Sequence, residues 1–210
     1  MKHTIAEGFS ISFHPLLIPF YSLLFMMVMP IFEIKALGSS FQLYLLVMIA
    51  LTTILLPLFS LYFMKKQQLI SSYTINDRRE RNLPYISVMM YHGLSAYLLF
   101  KISIIPIIIP FTLGVASGSA LLLLLFNWRI KVSAHAAGMG SLIGLLVLIQ
   151  HFYHVPLKVS IAVAIVLTAL ILWSRWFLKA HRLAELVLGL AIGLSVCLVG
   201  GFVFLQRYFV

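Results

Sequence analysis

Charge is the scarcest feature of this 210-residue chain: Asp, Glu, Lys and Arg together make up 10% of it, against 62% hydrophobic residues. A soluble domain carries about 25% charged and about 45–50% apolar residues. The shortage excludes a water-soluble globular domain and leaves an integral membrane protein. Acidic residues number only five, and no carboxylate cluster stands among them to hold a hard cation. Neither a metal nor a cofactor is expected. The single cysteine, Cys197, lies inside an apolar run. It supports neither a disulfide framework nor a thiolate metal site and reads as a small buried side chain. Zinc-finger spacing and aromatic–basic interleaving are also missing, so the fifteen Lys and Arg residues do not mark a nucleic-acid partner. They fall in short connections between apolar runs, where membrane lipids supply the counter-charge.

What is present is a series of long apolar runs. The first, beginning near Ile11, is too continuous for a cleaved signal and reads as a retained span. Seven helices are expected, over about 12–31, 41–63, 84–100, 103–126, 134–153, 157–178 and 183–205, most near the roughly 20 residues that cross the hydrocarbon. The third and fourth are divided clearly only by Lys101, and Pro106 with Pro110 would kink the fourth or delay its start. A re-entrant hairpin there would keep the same sidedness. The expected fold is therefore all-α, a polytopic transmembrane bundle of six to seven spans, forming a single integral membrane domain over 1–210. Gly, Ala and Ser residues within 114–120, 137–144 and 189–200 allow close helix approach.

This count puts three polar clusters on one membrane face: Asn76 to Pro84, Asn127 to His135, and Ser174 to Glu185. On the same face lie Lys2, Lys65, Lys66, Arg78, Arg79, Arg81, Arg129, Lys131, Arg175, Lys179 and Arg182, against Lys35, Lys101, Lys158 and Arg207 on the other. Eleven against four favours a cytoplasmic location for the polar face, and a bacterial inner (cytoplasmic) membrane is the expected setting. Removing Arg78, Arg79, Arg81 and Arg175, which an anionic substrate could itself demand, leaves seven against four.

The clusters hold a coherent set of groups. His181 and Glu185, four residues apart, share a face if both are helical, so the carboxylate can hold one imidazole nitrogen and leave the other as nucleophile or base. His135, at the start of another helix, can approach as general acid. Arg175, with one or more of Arg78, Arg79 and Arg81, offers forked donors that match phosphate oxygens. Ser133 and the open N–H groups beside it add anion-binding capacity, with helix capping as the rival role. These parts suit metal-free phosphoryl transfer through a phosphohistidine. The rival for His181–Glu185 is an interfacial ion pair, and for the arginines it is lipid-headgroup anchoring. His14, before Pro15, reads as an interfacial or capping residue that could line the entrance. His92 reads as packed with an internal hydrogen bond, or as facing the site from below. His151 and His154 belong to the opposite surface, and His3 to the terminus.

Ser174-Arg175, five residues, His181, three residues, Glu185 resembles the third motif of the type 2 phosphatidic acid phosphatase superfamily, in which Asp ends the run. Val132-Ser133-Ala134-His135 resembles its second motif, Pro-Ser-Gly-His. The first motif, Lys, six residues, Arg-Pro, has no match at that spacing, although the basic Arg78–Pro84 stretch stands in its place. The resemblance covers roughly residues 76–190. It implies a helical membrane phosphatase with that span as catalytic core, His181 as the phosphorylated nucleophile, Glu185 orienting it, His135 protonating the leaving group, and Arg175 and Ser133 on the phosphate. The implied substrate is a lipid phosphate or a polyprenyl diphosphate that loses its terminal phosphate. The alternatives are a lipid phosphotransferase using the same site, and a non-enzymatic lipid-binding or structural membrane protein with a degenerate site.

Overall fold

Backbone N–H and C=O groups find no water in hydrocarbon, so apolar runs of this length must satisfy them internally, and helices do so. The computed structural model describes residues 2–75 and 77–209; Asn76, at the head of the first basic cluster, and the Lys2 side chain lie outside the described residues. The chain runs through α1 (Lys2–Ser12), α2 (Ile18–Val28), a short α3 (Phe32–Lys35), α4 (Ser39–Ala50) and α5 (Leu56–Lys66). It continues through α6 (Asn82–Phe100), α7 (Ile108–Asn127), α8 (Ala134–Phe152), α9 (Lys158–Phe177), α10 (Leu183–Phe204) and a short α11 (Gln206–Phe209). Among the described residues seven helical stretches are long and apolar enough to cross a membrane, which makes this an all-helical, polytopic bundle.

The first and fourth spans differ most from the expected ones, and proline breaks the first and delays the start of the fourth. The first stretch begins near the N-terminus, at His3, and breaks before Pro15: His14 is extended (φ −61°, ψ 138°) and leads into a 3-10 turn over Pro15–Leu17. A residue before proline is pushed out of the helical region, so α1 separates from α2. The fourth span starts at Ile108, five residues later than expected, because Pro106 and Pro110 fit only in or ahead of a first helical turn. The second span is one long stretch in which α4 passes into α5 through a π-helical segment, Leu51–Leu55. Thr52 and Thr53 bond back to the Met48 and Ile49 carbonyls there, and Pro57 has no N–H to give.

The arrangement that positions the polar face is the seam between α8 and α10. Both helices start at that face and run parallel. A Cβ on Gly189 would overlap the Ser133 carbonyl, and one on Gly193 would overlap the Ala137 carbonyl. Only glycine permits this approach of backbone to backbone. The Ser133 N–H then donates to the Glu185 carbonyl at 3.3 Å, which ties one helix start to the other. The main apolar core, with Leu23, Leu45, Leu113 and Leu148, fills the bundle below.

Candidate functional site

The three polar clusters meet. Arg81 closes a 3-10 turn (Arg79–Arg81) ahead of α6 and is buried. Its Nε donates to the Ile75 carbonyl at 3.0 Å and its Nη1 to the Val132 carbonyl at 3.3 Å, which anchors it to the loop before α8. Asn127, at the end of α7, donates to the Arg78 carbonyl (2.8 Å) and to the Asn82 side chain (2.7 Å). Arg78 and Asn82 are thus held through polar contacts, and Arg79 is exposed.

Arg81, His135, Arg175 and His181 line one cavity of about 200 Å³ that extends from this face into the bundle, and His14 lines it too. Neither Arg78, Arg79 nor Ser133 lines it. Ser133 is fully buried as the cap of α8, its Oγ accepting from the Ala136 N–H at 3.4 Å. Its own N–H is taken by Glu185, so the open helix start expected there is partly closed.

His181 and Glu185 meet, though not by sharing a helical face. Lys179 adopts a left-handed φ of 54°, and the Ala180 N–H bonds the Arg175 carbonyl at 3.1 Å. That geometry ends α9 abruptly. His181 therefore lies outside both helices, just ahead of α10. Glu185, in the first turn of α10, reaches back and its Oε2 accepts from His181 Nδ1 at 2.8 Å and from the Arg182 N–H at 3.3 Å. A carboxylate at a helix start is also favoured by the helix dipole. The Nδ1 proton is thereby fixed on the Glu185 side, which leaves Nε2 with the lone pair. Burial pushes the His181 imidazole down to about 4; the Glu185 hydrogen bond opposes this, and the cations Arg81, Arg175 and Lys131 add to it. Burial, and then Arg81 beside it, also hold the Lys131 ammonium below its ordinary value. On the outer side His181 and Glu185 border a second, open pocket with Lys131, Lys179 and Arg182. Of the residues that line the two spaces, His181 is common to both.

The fourth wall comes from α1, which sequence reasoning did not assign to the site. Ser10 accepts twice: its carbonyl from His135 Nε2 (3.0 Å) and its hydroxyl from Arg175 Nη1 (2.6 Å). Ser174 Oγ donates to the Ala6 carbonyl at 2.6 Å. His14, in the break after α1, sets its ring edge-on to His135 with centroids 5.4 Å apart. Its Nδ1 accepts from the Leu16 N–H at 3.4 Å, so it both caps a turn and lines the cavity. The one available signal was the His-Pro pair in an apolar run, since proline there opens a helix. Ser10 carries no such signal.

Electrostatically the site is lopsided. The ion pairs among the described residues are His3–Glu7 and His181–Glu185, so neither Arg81 nor Arg175 has a carboxylate partner. Arg175 Nε is buried and without any hydrogen-bond partner. Two guanidiniums facing one cavity with spare donors call for an anion. No group of three or more His, Cys, Asp or Glu side chains converges among the described residues. Compared with known protein families, with curated proteins and with solved structures, the chain matches none.

Proposed function

We propose that this protein is a membrane phosphatase that removes a terminal phosphate from a lipid phosphate or polyprenyl diphosphate through a phosphohistidine, as the resemblance to the type 2 phosphatidic acid phosphatase superfamily implies. The observation that carries the reading is the pairing of two unpartnered guanidiniums, Arg81 and Arg175, with a carboxylate-oriented imidazole, His181, around one cavity. An interfacial ion pair alone accounts for His181 and Glu185, but not for a buried Arg81 and a half-buried Arg175 left without a counter-charge.

In this reading Arg81 and Arg175 hold the phosphate oxygens. His181 Nε2 attacks phosphorus, and the bond from phosphorus to the lipid oxygen breaks. That oxygen takes the Nε2 proton of His135, which enters the step as the imidazolium and leaves it neutral, displacing the Ser10 carbonyl to which this N–H now donates. Glu185 stabilises the positive imidazole that forms. Water then gives a proton back to His135 as its oxygen attacks phosphorus, the P–N bond breaks, and inorganic phosphate departs. The basic pocket outside His181, with Lys131, Lys179 and Arg182, suits the departing anion, while the tail stays on the apolar side. Arg81 takes the place left open by the absent first motif. The basic excess on the site's face favours a cytoplasmic location for it.

The test is phosphate release by purified protein in detergent or lipid from a panel of lipid phosphates and polyprenyl diphosphates. Wild type releases phosphate and traps an acid-labile phosphoprotein. His181→Ala does neither. Glu185→Gln still accepts from Nδ1 but lacks the charge, and slows turnover about a hundredfold or more. Undiminished release by His181→Ala rejects the phosphohistidine route. A transfer product that forms only when an acceptor lipid is added identifies a phosphotransferase instead.

A further inference from the structure

The two ends of the cavity differ in hydrogen-bonding character. At its mouth donors gather around the His181 Nε2 lone pair: the Arg81 guanidinium, Arg175, whose Nε has no partner, and His14, whose Nδ1 is an acceptor and whose proton is therefore on Nε2. Its inner part is lined by His92, on α6, with Thr112 and Cys197 beyond it. Eleven residues of helix separate His92 from Arg81, a distance of about 16 Å by helical rise, which is mid-depth in that span.

His92 is 1% exposed, lines the cavity, and has one ring nitrogen satisfied: Nδ1 donates to the Val88 carbonyl at 2.8 Å. Its Nε2 is buried and has no partner. In a site this apolar a charged imidazolium is the costly form, so the ring is neutral and Nε2 carries a lone pair. The hydroxyls that line the cavity nearby have already given their protons away. Thr112 donates to the Ile108 carbonyl and Ser141 to the Gly193 carbonyl. Since Ser141 has only one proton, Ser119 must donate to Ser141 across their 3.3 Å contact. Apart from the weakly donating Cys197 thiol, what remains at this level is acceptors.

We infer that the inner end of the cavity, built on His92 Nε2 with the Ser119 oxygen, is a binding site for a hydrogen-bond donor, an alcohol hydroxyl on the tail of the ligand whose phosphate sits at Arg81 and Arg175. This rests on the phosphate-site reading for the position of the other end. An unmet buried acceptor costs the protein stability, and a hydroxyl arriving from an apolar chain meets it without bringing a charge into the membrane. The site therefore selects among amphiphilic phosphates by a polar mark deep in the tail, not by the headgroup alone.

The test compares binding of dodecyl phosphate and ω-hydroxydodecyl phosphate, whose extended length suits the separation, to the full-length protein in detergent. Wild type binds the hydroxylated probe about fivefold more tightly, the worth of one net hydrogen bond. His92→Phe loses the preference, and His92→Gln, whose Oε1 is an acceptor near the Nε2 position, recovers part of it. Equal affinities in wild type, a comparison that needs no variant to fold, mean that the inner end holds water only and overturn the inference, as does a preference that survives in His92→Phe. Phosphate release from the same two probes is scored separately. A binding preference without release rejects the phosphatase reading and leaves the inner site standing, and release without a preference does the reverse.

Discussion

Ser10 and Arg175 are separated by 165 residues of chain, yet the Ser10 hydroxyl accepts from Arg175 Nη1 at 2.6 Å. The contact makes α1 part of the candidate site. It also occupies one donor of a guanidinium whose Nε is already without a partner. Ser10→Ala is expected to loosen α1 and lower stability by about 1–2 kcal/mol, the range for a hydrogen bond to a charged group with some exposure. The same substitution frees an Arg175 donor, so KM for a lipid phosphate should fall while the unfolding temperature in detergent drops. A rise in KM would place the Ser10 hydroxyl on the substrate's side of the balance.

The burial of His181 sets a pH dependence. Its ring is pushed from an ordinary value of 6.5 down to about 4, so the unfolded chain binds more protons at this position between those limits. Stability therefore falls as pH falls from about 6.5 to about 4 and is not lowered further by this group below that. The contribution is on the order of 3 kcal/mol at most, from about 1.4 kcal/mol per unit. The groups facing the ring are Glu185, which opposes the shift, and Arg81, Arg175 and Lys131, which add to it. Unfolding measured across this range should show a shallower slope in His181→Gln than in wild type. In the phosphatase reading the acid limb of the rate profile lies nearer pH 4 than 6.5, because Nε2 keeps its lone pair down to that point.

The α8–α10 seam is expected to be intolerant of a single methyl group. In Gly193→Ala the new Cβ meets the Ala137 carbonyl, a backbone atom that cannot rotate away. Overpacking of this kind costs about 1–3 kcal/mol or more. Because the seam also aligns Ser133 with Glu185, the change should loosen the His181 region as well as the bundle. Gly8→Ala, where nothing stands within 4 Å of the added Cβ, is the control and should hold the unfolding temperature or raise it slightly, since Ala favours a helix interior over Gly by about 0.5–1 kcal/mol.

Sidedness is directly measurable because the native Cys197 is buried. Gln67→Cys, exposed beyond α5 on the site's face, should react with a membrane-impermeant maleimide only from the cytoplasmic side. Lys158→Cys, exposed at the start of α9 on the opposite face, should react only from the other. Reversed labelling would move the site to the outer face and with it the compartment that receives the phosphate.

The number and order of the spans were legible because hydropathy over about 20 residues is a local, additive property, and lipid leaves the backbone no alternative to the helix. The prolines at 15, 106 and 110 mark the places where that additivity fails, since a missing N–H shifts a boundary that apolar character alone would extend. The facing of the polar clusters was legible too, because alternating spans return every second connection to the same side.

Which side chains enter the cavity was not legible. Arg78, Arg79 and Arg81 are chemically alike, and on the 3-10 turn that carries them Arg78 and Arg81 share a side, so packing of the turn before α6 against the Val132 loop decides that Arg81 goes in. His181 and Glu185 have the spacing of a helical pair, but the left-handed Lys179 ends α9 and leaves His181 ahead of α10, where only the reach of Glu185 across the helix start joins them. Ser133 has the residue type of a phosphate ligand or a cap, and the glycine seam buries it as a cap. Ser10 has no distinguishing neighbourhood in the chain at all. Composition determined that this protein lives in a membrane and that its few charged groups gather at helix ends, because each apolar run excludes them. The tertiary structure decided which of them share a cavity, because that depends on helix rotation and on contacts between residues as far apart as Ser10 and Arg175, which no local pattern encodes.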